Sequence, residues 1–471
     1  MYIKNNNLKI NKILKIISDL SNKLKYKTYL IGGFVRNLFL KRKSYDIDIV
    51  TTGNSIKLAK IFIKKIKTKK IFIFKRFKTV IVKYKKYSFE FVSTRKEYYN
   101  LYNNKPKIKL LNSIKEDQNR RDFTINSIAI SLNKKDYGKI IDKFNGIKDI
   151  KKKYIKTPRN PDKTLYEDPL RMIRAIRFSS EFCFKIDKNL KKSIIKNRDR
   201  IRIISIERII QEFNKILLSK KPSIGLKLMN KFGFLYIILP EFVDLKNQEE
   251  KNGFSYKNNF IHTLKVLDKI SKYSNNLWLR WATLLHDIGK PISKHYTKKK
   301  GWCFYYHEII GSNMVPKIFY RLKLPMKNNM KYVQKIIKYS NKPTILSQFN
   351  VKNKTILKFI YKIKIKYIKN LLLLSYCDIT TKNKFLKKEK IKKINKLYKK
   401  IKYLIKKKIY IKKIPINGYD IMNYFKTNSS PKIGKIKKEI LNKIKNNKVK
   451  NNYKDIFKLM IKIGKKYFKN D

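Results

Sequence analysis

Carboxylates are scarce in this chain. Only 32 Asp and Glu stand against 118 Lys and Arg in 471 residues, a formal charge of +86. A polyanion is therefore the first partner to consider. Lys, Ile, Asn and Tyr are all heavily used and all have A/T-rich codons, so codon bias is a second source of the lysine excess. Cysteine is nearly absent. Cys183, Cys303 and Cys377 form no metal-type pair and leave an odd thiol, which excludes a disulfide framework and suits a reducing cytoplasm. The stretch MYIKNNNLKI has no apolar h-region, and no run of about 18 apolar residues occurs, so neither a signal peptide nor a membrane span is expected. The apolar fraction, 42%, is ample for buried cores, and the length predicts several domains.

Where acids are this few, their placement is informative. YLIGGFVRNLFLKRKSYDIDIV, residues 29–50, ends with Asp46 and Asp48 one residue apart. KTYLIGG, YDIDIVTTG, KTVIVKY and FEFVST read as strands by alternation and β-branching. A strand alternates faces, so Asp46 and Asp48 share one face while Ile47 and Ile49 enter a core. Two such carboxylates repel unless a cation sits between them, and all-oxygen ligands suit Mg2+. Upstream, Gly32 and Gly33 let the backbone approach an anion at the start of a helical run, and Arg36 adds a phosphate contact. A turn followed by a half-exposed acidic strand is the plainer reading of the same letters.

A second cluster is NRRDFTINSIAI. Arg121 suits a phosphate or sugar contact, and Asp122 and Asn126 suit ribose hydroxyls; an Arg–Asp helix cap is the alternative. A third is EDPLRMIRAIRF, with Leu170, Ile173, Ile176 and Phe178 at helical spacing. Asp168 suits the helix start, and Arg171, Arg174 and Arg177 fall close to one face. Cytosine and adenine share an edge with an amino donor beside a ring-nitrogen acceptor. A carboxylate and an arginine can read that edge, while uracil and guanine would leave buried groups unpaired. An ordinary capped helix with a basic face is the alternative.

The chain has four histidines. His262, His286-Asp287 and His307 lie in helical contexts with Asp378 further on, a pattern able to gather a divalent cation. Gly289-Lys290 offers a phosphate contact, and His295 reads as surface. Helices dominate after Pro161. KIKKINKLYKKIKYLIKKK puts Ile391, Ile394, Leu397, Ile401 and Leu404 on one face and lysines opposite, an amphipathic helix with a solvated basic side.

GGFVRN…YDIDIV resembles the GGxVRD…DxD signature of the class II tRNA nucleotidyltransferase and poly(A) polymerase family, with Asn37 where the family usually has Asp. RRDFTIN, the link IIDKFNGIKDIKKKYIKTP with Asp142 and Gly146, and EDPLRMIRAIRF resemble its further motifs. IRIISIERIIQEF looks like its neck helix, in which Glu207 and Arg208 read as structural. The histidine pattern resembles the HD phosphohydrolase superfamily, and 415–440 looks like the tail of HD-containing tRNA-CCA enzymes.

The resemblance implies an α+β fold. A nucleotidyltransferase head with a small mixed or antiparallel sheet (1–155) would precede an all-helical neck (156–245), HD domain (246–380) and basic tail (381–471). It implies template-independent addition of CCA to the tRNA acceptor end from CTP and ATP. Asp46 and Asp48 would be catalytic and hold Mg2+. Gly32, Gly33, Arg36, Arg121, Asp168, Arg171, Arg174 and Arg177 would bind nucleotide. His262, His286, Asp287 and Asp378, with His307 auxiliary, would hold a second divalent metal. A poly(A) polymerase, a partial CC- or A-adding enzyme, an HD phosphohydrolase with a silent head and a non-catalytic RNA-binding protein are the competing expectations. Oligomeric state is left open.

Overall fold

A computed structural model describes residues 8–75, 78–100, 103–110, 113–247, 250–251, 254–255, 258–299, 301–349, 351–406, 414–445, 449 and 451–468. The chain parts into two compact units, 1–337 and 338–471.

The first unit begins with α1 (Leu8–Lys23), β1 (Thr28–Ile31), α2 (Gly33–Phe39), β2 (Asp46–Thr51), α3 (Ser55–Ile66), β3 (Ile71–Phe74), β4 (Thr79–Tyr84) and β5 (Tyr87–Ser93). A hairpin of β6 (Arg95–Asn100) and β7 (Asn103–Leu110), then α4 (Ile114–Asn119), β8 (Ala129–Ser131) and β9 (Ile140–Ile141) complete the head elements. Seven strands form one sheet in the order β3-β4-β5-β2-β1-β8-β9. Only β2 and β5 run parallel; the other pairs are antiparallel. A parallel pair needs a crossover, and α3 with the β3–β4 hairpin supplies it. Asn54 starts α3 by accepting from the Ile56 and Lys57 amides. Phe62 then packs on Phe89 and Phe91, with ring centroids 5.5 and 5.3 Å apart. Ile47 and Ile49 are fully buried, and Asp46 and Asp48 project from the other face, as strand alternation dictates.

Asp142 accepts from the Gly146 and Ile147 amides at 2.7 and 2.9 Å and so starts α5 (Gly146–Lys152). There follow α6 (Pro161–Glu167), α7 (Leu170–Phe182), α8 (Lys188–Asn197) and α9 (Ile206–Leu218). α9 buries Ile209, Ile210, Phe213, Ile216 and Leu217 at three- and four-residue spacing, the core-facing stripe of an amphipathic helix. The helix Leu277–Leu285 is tied to α9. Arg280 is fully buried and donates to the Leu217 and Ser219 carbonyls, and Trp281 Nε1 donates to Asn214 at 2.8 Å. The helical region also contains a hairpin, Lys294–Thr297 with Gly301–Phe304, beyond the helices that periodicity predicts.

In the second unit, the helix Lys384–Lys406 buries Ile394, Leu397, Ile401 and Leu404. Pro431–Lys445 and Tyr453–Tyr467 close a separate core around Ile436, Ile440, Ile456 and Met460. Among the described residues no helix is long and apolar enough to cross a membrane.

Candidate active site

Gly32 sits between β1 and α2 with φ +79°. A Cβ there would press on the Asp48 carboxylate and lie 3.1 Å from Arg121 Nη1, so only glycine suits both backbone and space. The Gly33 amide donates to Asp48. Burial nonetheless pushes the Asp48 carboxyl up; Arg121 and the Gly33 amide oppose this, and Asp46 adds to it. Glu90 was not singled out in the sequence. It lies opposite Asp48 in the parallel register of β2 and β5, and its carboxyl is also raised, by burial first and then by Asp48. FEFVST reads only as a strand, and strand pairing is what brings Glu90 beside Asp48.

The turn after α4 is built on Asp117, which is wholly buried. Arg120 grips one of its oxygens at 2.5–2.9 Å and Arg121 the other at 3.2–3.3 Å. Asp122 accepts from the Phe123 amide and Asn126 on one oxygen, and from Arg174 Nε and Nη2 at 2.9 and 2.5 Å on the other. Burial alone would raise Asp122, but the Arg174 guanidinium and the hydrogen bonds hold it well below the usual carboxylate range. Asp122 and Asn126 thus bond within the protein, and Asp122 also lines the cavity described below. Asn126 also takes Arg36 Nη1 at 2.6 Å. Asn37 accepts from Arg36 Nε and Nη2, and the guanidinium lies over Phe178 and Phe182. Arg36 is 7% exposed, and burial lowers its pKa to about 10.

Between α6 and α7, Asp168 accepts from the Leu170 amide at 3.2 Å and faces Arg208 of α9 at 3.7 Å. Arg171 donates to the Thr164 and Arg120 carbonyls at 3.2 and 2.8 Å, which ties α7 to the RRD turn. Arg177 pairs with Glu212 at 2.7 Å and Glu181 at 3.1 Å. Glu212 is a second residue the sequence reading passed over: a buried acid on the apolar stripe of α9. Glu207 by contrast pairs with Lys323 at the surface. Asp48, Glu90, Arg121, Asp168, Arg171 and Arg174 line one cavity of about 320 Å³. Arg36 and Arg177 are held by the side chains named above.

The histidines gather in the same unit. His262 lies in the helix Asn259–Tyr273, His286 caps Leu277–Leu285 and His307 opens His307–Arg321. The Nε2 atoms of His262, His286 and His307 lie 3.7, 3.5 and 3.6 Å from the Asp287 carboxylate. The Nδ1 atoms of His286 and His307 each meet a backbone carbonyl at 2.8 Å, which turns Nε2 toward Asp287. Lys290 pairs with Asp287 at 2.7 Å. His295 is exposed, with its ring tilted against that of Tyr305 at a centroid distance of 4.9 Å. Asp378 ends the helix Ile365–Asp378 of the second unit.

Family models describe the same parts. The poly A polymerase head domain matches residues 28–156, the probable RNA and SrmB-binding site of polymerase A matches 183–245, and the HD domain matches 259–380. A crystal structure of the Bacillus stearothermophilus CCA-adding enzyme in complex with CTP is similar in fold. Its TM-score is 0.67 at 21% identity, covering 98% of this chain and 99% of that one. The Thermotoga maritima CCA-adding enzyme complexed with tRNA aligns at TM-score 0.58 and 20% identity, covering 97% and 96%. The CCA-adding enzyme of Lactobacillus helveticus is 32% identical over 270 residues, 57% of this chain and 62% of that one. The chain spans about half to two thirds of the length of the curated relatives it matches. With the CCA-adding enzyme of Bacillus licheniformis it is 32% identical over 292 residues, 62% of this chain and 67% of the relative, and the chain belongs to the CCA-adding enzyme family.

Proposed function

We propose that this chain adds C, C and A to the 3′ end of tRNA, using CTP and ATP and releasing pyrophosphate. The observation that carries this reading is one cavity lined by Asp48 and Glu90 from the sheet and by Asp168, Arg171 and Arg174 from the base-reading helix. Relatives and solved neighbours named as CCA-adding enzymes, with CTP in one and tRNA in another, support it.

Asp46 and Asp48, with Glu90 beside them, would hold Mg2+. The donor set fits a hard cation: all oxygen, on one sheet face, with two carboxyls raised by burial and mutual repulsion. When bound there, the metal supplies charge that activates the RNA 3′-hydroxyl and offsets the leaving pyrophosphate. Arg121, fixed by Asp117, serves the phosphates, and Arg174, fixed by Asp122, presents a pre-oriented guanidinium. Gly32, Gly33, Arg36 and Arg177 shape and support the nucleotide site. Asp168 accepts from the amino group of C or A, and Arg171 donates to the ring nitrogen. Basic helices of the neck and tail hold the acceptor stem through phosphates and A-form shape. The head, neck, HD and tail divisions at 155, 245 and 380, and a cytoplasmic location, belong to this proposal.

tRNA lacking its terminal CCA, offered each labelled nucleotide separately and then all together, tests the reading. Ordered C, C, A incorporation is expected. Extended A addition would make the chain a poly(A) polymerase, and C or A alone a partial enzyme.

The convergence of three imidazoles on Asp287 favours a second activity. We infer that His262, His286, Asp287 and Asp378, with His307 auxiliary, hold a second divalent metal for phosphate-ester hydrolysis. Asp287→Asn should abolish metal-dependent hydrolysis of a phosphodiester while CCA addition stays within a few-fold. Hydrolysis undiminished in that variant refutes the second site.

A further inference from the structure

The face that carries Asp46 and Asp48 does not end at Glu90. Cross-strand partners share a face of a sheet. The registers Asp48↔Glu90, Glu90↔Ile81 and Ile81↔Phe72 carry one row of side chains from β2 through β5 and β4 to the edge strand β3. A second row runs Val50, Val92, Thr79, Phe74. Phe72 and Phe74 therefore stand on the same face as the two aspartates, three strand spacings or about 14 Å from Asp48. They are 49% and 46% exposed on this edge strand, as is Ile73 of its other face at 38%; Val50, Val92 and Thr79 of the second row are buried, so the open path to the aspartates runs along the first row.

Two exposed rings on an edge strand invite unwanted strand pairing. Their surroundings point to a different occupant. Lys83, on the same face, lies with Nζ 5.4 Å from the Phe72 ring centroid. The sequence has no Asp or Glu between Asp48 and Glu90, and residues 69–86 contain eight Lys or Arg. A second copy would bring an identical basic edge against this one. A polyanion with flat apolar faces matches both the charge and the rings.

We propose that Phe72 and Phe74 form a stacking platform for unpaired bases of the RNA just upstream of its reacting 3′ end. This rests on the nucleotide-adding reading of the head. With the 3′-hydroxyl at Asp46 and Asp48, an extended strand crossing about 14 Å places roughly two nucleotides back on the platform, an unpaired position once the end already carries C residues. Stacking tolerates any base because every base has a π-face. That tolerance suits a primer end whose identity changes with each addition. Lys83 and its neighbours supply phosphate contacts along the same path.

The test uses the full chain with Phe72→Ser/Phe74→Ser and, as rescue, Phe72→Trp/Phe74→Trp. Direct binding of a short hairpin RNA with an unpaired 3′ end is measured by anisotropy, alongside addition kinetics at saturating nucleotide. The serine pair should weaken RNA binding and raise the RNA KM about ten-fold, the scale of a lost base–aromatic stack, with the nucleotide KM within about two-fold. The tryptophan pair should restore both. A hairpin without unpaired 3′ nucleotides should bind wild type and the serine pair alike. Unchanged RNA affinity in the serine pair overturns the platform, as does a serine pair that only converts a dimer to a monomer on sedimentation. A wild-type chain that binds the unpaired end but adds no nucleotide would instead overturn the nucleotide-adding reading and leave the binding result to judge the platform.

Discussion

Two sets of carboxylates in the head sit in opposite electrostatic surroundings. Asp117 and Asp122 are buried against arginines of their own chain and are held below the ordinary range. Asp48 and Glu90 are half-buried beside each other, and their pKa values are raised. In a chain with so large an excess of lysine and arginine, leaving two acids without full compensation is unexpected as packing. A divalent cation between them would offset it. The first set positions arginines; the second lines the cavity. Exchanging the behaviour of the two sets by mutation is the way to test whether this difference is real.

The largest effect should come from the second set. Asp46→Ala or Asp48→Ala should lower nucleotide addition by about 10³-fold or more, at or beyond the upper end of losing one preorganised electrostatic contact. tRNA affinity should hold, because phosphates are met elsewhere and a negative charge has been removed. Filter binding with single-turnover extension separates the two quantities. Near-normal addition by both variants would erase the contrast with Asp122.

The first set should fail differently. Asp122→Ala strands Arg174 beside Glu212 and removes the acceptor that joins Asn126 to α7. Breaking a buried pair costs about 3–5 kcal/mol, and the low end applies here because Arg174 is partly exposed. Urea unfolding at neutral pH should register that loss. The Asp122 carboxyl is depressed in the folded state, so its stabilisation is present above the unfolded pKa and disappears as pH falls through the folded one. The gap between wild type and variant should therefore close in acid. A gap independent of pH would mean that packing, not charge, is what Asp122 contributes.

A smaller effect is expected at the proposed base-reading pair. Asp168→Ala leaves Arg171 in place, anchored on two carbonyls, and removes the acceptor for the amino group. Discrimination against U and G should fall by roughly 5–150-fold, the value of one unpaired group. Single-turnover incorporation of each nucleotide onto tRNA ending before C, and onto tRNA ending in CC, measures it. Wild-type preference at all three positions would move selection to another residue.

How far these positions can be read from sequence depends on how local the rule behind each one is. Asp46 and Asp48 were visible because strand alternation is a two-residue rule. Asp168 and the three arginines were visible because helical spacing is nearly as local. Glu90 escaped because only the parallel register of β2 and β5 brings it beside Asp48. Glu212 escaped because an acid within the apolar stripe of α9 has no local explanation until Arg177 arrives from α7. Arg36 shows the opposite failure: its motif suggests a phosphate contact, and the fold stacks it on Phe178 and Phe182, which lie far along the chain. The exposed face of β3 was missed because IFIF reads equally well as a buried strand.

The smallest effect sharpens the comparison most. The Asp48 carboxyl is raised by burial, so its folded pKa exceeds the unfolded one. Between those two values the native state binds more protons, and stability falls as pH rises. Above the folded value the full penalty remains. Asparagine cannot ionise, so Asp48→Asn should be more stable than wild type at neutral pH in EDTA, and the two should converge in acid. A Tm rise of roughly 2–4 °C is expected, the scale of about 1 kcal/mol in a large domain. Mg2+ should then stabilise wild type and leave the variant unmoved, since only a ligand bound to the native state shifts unfolding. Asp122→Asn should show the reverse order at neutral pH, less stable than wild type with or without metal. If Asp48→Asn is instead destabilised in EDTA, the Asp48 charge is already balanced by Arg121 and the Gly33 amide, and the two sets of carboxylates do not differ in kind.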